Sequence, residues 1–156
     1  MNTIKGIFVA IGGVLASMLG ILYIPVILMV LCNVIDYLTG IFAAVSNGKK
    51  ISSSTGIKGI FKKVCMWLLV VVGAIVDQLI KYATATVGLT FPFVFMVACI
   101  VAVWIICNEL ISILENISAT GVKVPGFLMK IVRYIKGKTE DSAGIQEEEN
   151  SESADK

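Results

Sequence analysis

The chain contains no histidine. A Ser-His-Asp triad and a Cys-His nucleophile pair are therefore excluded, since both need an imidazole to take the nucleophile's proton. Its four cysteines, Cys32, Cys65, Cys99 and Cys107, stand singly in apolar runs with no CxxC pair. Neither a disulfide framework nor a zinc site is expected, and each thiol reads as a small hydrophobe. Charge is scarce as well, at 15% of 156 residues. The lysines that are present have no recognition motif beside them, so nucleic-acid binding is not expected. No motif of a metal, cofactor or catalytic site is found, and the chain does not read as an enzyme.

What fills the chain instead is apolar: 57% of its residues are hydrophobic and the mean hydropathy is +0.91. Soluble domains stand nearer about 45–50%. The sequence is that of a membrane protein, long enough for several helices of about 20 residues each. No length remains for a second globular domain.

The net charge of +2 hides an asymmetry. The last eighteen residues, Thr139 to Lys156, hold seven acids and one lysine, which leaves twelve basic and four acidic side chains in the rest. Most of the positive charge lies in two clusters, at Asn47 to Lys63 and at Lys123 to Lys138. Short lysine-rich loops are retained on the cytoplasmic side of a bacterial membrane, so both clusters and both termini are expected there. Anionic lipid is a secondary partner that such clusters suit.

Four spans are expected, at about residues 4–22, 24–46, 64–82 and 91–112, arranged as two hairpins of an all-α membrane domain covering 1–136. Three crossings are the alternative. The charged start followed by an apolar run also has the form of a signal peptide, with Ala16 and Ser17 near a cleavage point, but the apolar character continues unbroken. Within the first span Gly6, Ala10, Gly13, Ser17 and Gly20 share one face, with Gly12 and Ala16 beside it. Small faces let helices approach closely in lipid, either between copies or against the chain's other helices. The second span enters through Pro25 and carries Asn33 and Asp36, with Thr39 and Gly40 a turn later.

The loop that follows includes Lys49, Lys50, Ser52, Ser53, Gly56, Gly59, Lys62 and Lys63, with serines suited to cap a helix and an amphipathic lead-in over Ile57 to Val64. Asp77 interrupts the third span, one turn before Lys81. Counted from the lysine loop, Asp36 and Asp77 lie about 16 and 20 Å deep at helical rise. Carboxylates at that depth mark a functional place. Either they share a polar seam with Asn33, or they serve separately as partners of Lys81 and the backbone. After the fourth span, Asn108, Glu109, Ser112, Glu115 and Asn116 continue at helical spacing until Gly121 and Pro125 break the helix. A short amphipathic helix is expected at about 125–136, at the cytoplasmic interface, and a disordered acidic tail over 137–156.

The ordered set of Asp36, Thr39 and Gly40, then Lys50, Ser52, Ser53, Gly56, Gly59, Lys62 and Lys63, then Asp77, then the run Asn108 to Asn116 (NELISILEN) with Gly121 and Pro125, resembles the toxin-secretion and phage-lysis holin family. That group includes the clostridial toxin-secretion holin, and the likeness covers roughly Met18 to Arg133. The resemblance implies a homo-oligomer that accumulates in the cytoplasmic membrane and opens lesions releasing an endolysin or a toxin. The acidic tail departs from the basic end common among holins. Three other classes come into question for these residues: a small oligomeric ion or proton channel using the same carboxylates, a non-lytic scaffold or holin antagonist, and an intramembrane enzyme, whose two aspartates would form a diad but lie in no catalytic motif.

Overall fold

The structure, a computed structural model, describes residues 5–6, 9, 13, 19–49, 53–88 and 96–142. These residues are helical, with no strand among them. A 3-10 turn at Gly20–Leu22 leads into α1 (Tyr23–Ser46), and α2 (Ser53–Thr86), α3 (Met96–Ala119) and α4 (Gly126–Ser142) follow.

α1 and α3 stop where their sequences give them a way to stop. α1 ends at Asn47-Gly48, where Gly48 takes φ +64° and the amides of Gly48 and Lys49 donate back to the carbonyls of Val45 and Ala44, at 3.0 and 2.9 Å. That paired closure is the glycine-terminated end expected of a helix C-terminus. α3 also ends at a glycine, Gly121, φ +89°, whose amide donates to the Ser118 carbonyl at 3.0 Å, and Pro125 stands immediately before α4. The Asn47 side chain also donates to the Ala119 carbonyl at 3.0 Å, tying the end of α1 to the end of α3.

α3 is the central helix: α1, α2 and α4 each pack against it. Ala98, Ala102 and Ile105 on α3 are fully buried and form the core with Leu22, Met29 and Val70. Small residues set the closest approach, and a Cβ added to Gly73 on α2 would lie 2.9 Å from the Ala98 Cα. This is the small-residue packing by which helices associate in lipid. The outer surface is apolar, with Ile24, Leu31, Phe42, Leu68, Val72 and Leu79 all exposed. Among the described residues, three stretches are long and apolar enough to cross a membrane: Gly20–Ser46, Gly56–Thr86 and Met96–Ala119. The chain is an all-helical membrane protein, and the exposed apolar surface suits a lipid solvent.

One expected span lies largely outside the described residues, and two boundaries differ from the sequence expectations. The first expected span, 4–22, lies largely outside the described residues, and Ala10, Gly12, Ala16 and Ser17 fall there. The amphipathic lead-in and the third span are one continuous helix from Ser53, because Ile57, Ile60 and Val64 prolong the apolar side of the span without a breaker. α4 passes through Gly137, the expected start of the tail, and reaches Ser142. Pairing of Lys136 with Glu140 at 3.6 Å and of Lys138 with Asp141 at 3.3 Å supports those last turns.

Candidate functional site

Lys63 is the hub of a charged cluster that joins the three long helices. From α2 its ammonium donates to Asn33 Oδ1 at 3.1 Å and Asp36 Oδ2 at 2.9 Å, both on α1, and to Glu109 Oε2 on α3. All three N–H groups are thereby used. Asn116, two turns after Glu109, donates to the other Asp36 oxygen at 3.0 Å and reaches Thr39 Oγ1 at 3.4 Å. Gly40 packs beside that amide, where an added Cβ would stand 3.6 Å from Asn116 Nδ2, in ordinary van der Waals contact. Thr39 in turn donates to the Ile35 carbonyl at 2.9 Å.

The cluster is shielded. Asn33 and Glu109 are 6% and 5% exposed, and the Lys63 and Asp36 side chains 17% and 16%. Charges in such surroundings persist because they are paired and hydrogen-bonded. One ammonium faces two carboxylates, so the ionised cluster carries one excess negative charge. Beside it, α1 and α2 leave a cavity of ≈ 420 Å³ whose walls include Val34, Leu38, Val64 and Trp67, with Asn33 and Lys63 among its lining. Asn33 Nδ2 has no hydrogen-bond partner among the described residues.

Of the expected seam, Asn33 and Asp36 come together and Asp77 stands apart. Asp77 accepts the amides of Val97 and Ala98, each at 2.9 Å, and so caps the first turn of α3 from the neighbouring helix. A carboxylate satisfies the orphan donors and favours the positive end of the helix dipole there. Asp77 and Lys81 form no ion pair among the described residues. The expectation of a common depth for the two aspartates is overturned as well. Lys63 touches Asp36, and Asp77 lies fourteen residues further along the same helix, about 21 Å at helical rise. The estimate from the loop went wrong because Lys63 sits inside the helical bundle rather than at its border.

Among the remaining sequence candidates, Lys49 and Lys62 are exposed, and Lys50 and Ser52 lie outside the described residues. Ser53 begins α2. A Cβ at Gly56 would lie 3.8 Å from the Tyr37 hydroxyl oxygen, and one at Gly59 would meet nothing within 4 Å. Gly6, Gly13 and Gly20 are equally open. Glu115 is exposed, Ser112 and Asn116 are half-buried, and Pro125 precedes α4. In the sequence, Lys63 reads as a topology signal and Glu109 as part of a stripe leaving the membrane. Two matching polar stripes, Asn33-Asp36-Gly40 and Glu109-Ser112-Asn116, each at steps of three and four, carried the signal for the cluster. No group of three or more cysteine, aspartate or glutamate side chains placed to hold a metal ion occurs among the described residues.

A 14.9 kDa protein in the nagH 3′ region of Clostridium perfringens, itself uncharacterized, is 30% identical over 88% of this chain and 96% of its own length. An uncharacterized protein of Halalkalibacterium halodurans is 38% identical over 67% of this chain and 72% of its own. One from Listeria innocua is 31% identical over 83% and 84%. No solved structure matches. The bacteriophage holin family, which is not an enzyme family, matches over residues 13–137, and it is to this family that the chain belongs.

Proposed function

We propose that the protein is a holin: it accumulates in the cytoplasmic membrane, assembles with copies of itself and opens lesions through which an endolysin or a toxin leaves the cell. Family membership supplies the class of activity. The observation that carries the reading to these residues is the Lys63 cluster, which places two carboxylates, two amides and an ammonium between helices of membrane length. Polar groups in such helices face the bundle interior or a water-filled cavity. In the single chain they are paired and hydrogen-bonded with one another. In an assembly, separation of α1, α2 and α3 would turn the same groups toward water.

The open glycines Gly6, Gly13 and Gly20 support close approach of a second copy, since no described neighbour occupies the space beside them. Positive-inside bias supports placing Lys49, Lys58 and Lys62 in the cytoplasm, and with four spans both termini as well. An ion channel would use the same carboxylates, but it would pass currents of fixed size and retain folded protein.

Inducible expression in bacteria, with and without a co-expressed endolysin, tests the proposal. Abrupt loss of membrane potential, followed by a fall in culture density only when the endolysin is present, is the expected result. Slow growth without depolarisation would contradict it.

A further inference from the structure

α1 and α2 both pack on α3 but leave a crevice of ≈ 420 Å³ between them. Val30, Val34 and Leu38 of α1 form one wall, and Ile60, Val64 and Trp67 of α2 the other. All of these but Val30 are exposed, so the crevice opens on the outer, apolar surface of the helices. Its shielded lining is polar, made of Asn33, 6% exposed, and Lys63.

Lys63 gives its three N–H groups to Asn33, Asp36 and Glu109. An ammonium only donates, so the Asn33 amide must turn its oxygen toward Lys63, and its NH2 group is left over. Nδ2 has no partner among the described residues. Buried donors in folded proteins are satisfied, so this one calls for an acceptor.

The surroundings decide what kind of molecule brings that acceptor. A buried water needs several polar partners, and the apolar walls supply none. The excess negative charge of the Lys63 cluster disfavours an anion, and the ammonium and amide donors disfavour a cation. Phospholipid carbonyls stand too far away, at the borders of the hydrocarbon. Asn33 lies ten residues after Tyr23 and thirteen before Ser46, about 15 and 20 Å from the two ends of α1 at helical rise.

We propose that the crevice between α1 and α2 binds a neutral, apolar molecule dissolved in the membrane that carries one oxygen acceptor, of the class of a medium-chain alcohol. Its oxygen accepts from Asn33 Nδ2, and its carbon chain lies between Val34, Leu38, Val64 and Trp67. The inference goes beyond the lytic reading, and its readout does not depend on lesion formation.

The test uses the full chain with Trp104→Phe in detergent micelles, which leaves Trp67 on the crevice wall as the single tryptophan. Bromohexanol is the quencher. Bromohexane, which has no acceptor, and bromohexanoate, an anion, are the controls. Saturable quenching by bromohexanol is expected, displaced by unbrominated hexanol, while both controls quench only in proportion to their concentration in the micelle. Asn33→Leu, which removes the donor, is expected to weaken bromohexanol binding about two- to tenfold, the worth of one hydrogen bond. Val64→Phe keeps the donor, narrows the crevice and is expected to lower the saturable quenching as well. Equal quenching by bromohexanol and bromohexane would overturn the proposal, as would bromohexanol binding that either variant leaves unchanged. Saturable quenching that disappears as the protein-to-detergent ratio rises would overturn it too, by marking a second copy as the occupant.

Discussion

Lys63 gives its three N–H groups to three acceptors on two other helices, so its removal leaves Asp36 and Glu109 without their shared counter-charge. Breaking such a shielded arrangement from one side costs about 3–5 kcal/mol. Lys63→Ala is accordingly expected to lower the thermal midpoint of the detergent-solubilised chain by far more than Lys62→Ala, whose side chain is exposed. Replacing the hub together with its partners, as Lys63→Met, Asp36→Asn and Glu109→Gln, is expected to recover much of that loss, because no unpaired charge then remains. A second residue-scale test concerns Gly73, where an added Cβ meets the Ala98 backbone. Gly73→Ala is expected to cost about 1–3 kcal/mol by overpacking, read by the same thermal midpoint.

At the scale of elements, α2 and α3 are held in register by the Asp77 carboxylate on the amides of Val97 and Ala98. Asp77→Ala removes this cap and is expected to cost about 1 kcal/mol, the order found for lost helix caps. Hydrogen exchange should then accelerate first at the Val97 and Ala98 amides, and uniform protection in that variant would contradict the assignment. The helices themselves were readable from apolar length, from Pro25 at the start of α1, and from Asn47-Gly48 and Gly121 at the ends. Partners were not readable, since helical spacing shows which residues share a face and not which face meets which. Asp77 illustrates this: its polarity in an apolar run is evident, but its partners are two backbone amides twenty and twenty-one residues away that the sequence does not mark. Lys63 failed for another reason, because a lysine near a loop usually marks topology, and only packing on α3 carries it inward.

At the scale of the molecule, the described residues hold three stretches of membrane length, two of them packed on the central α3, and the surface they present is apolar. Four spans put both termini in the cytoplasm, whereas three put them on opposite sides. Reporter fusions before Lys5 and after Ser142 are expected to fall on the same side, and opposite sides would establish three crossings. Reversing the anchor outside the cluster, with Lys58→Glu and Lys62→Glu, is expected to disturb that orientation. The central claim joins topology to activity: a lesion-forming assembly whose resting subunit is tied together by the Lys63 cluster. Its most direct test is the interval from induction to the collapse of culture density, with a co-expressed endolysin, for the wild type and for Lys63→Met at equal membrane abundance. The account predicts an abrupt collapse in the wild type and a displaced collapse time in the variant. A wild-type culture that merely slows, or a variant that collapses at the wild-type time, would contradict it.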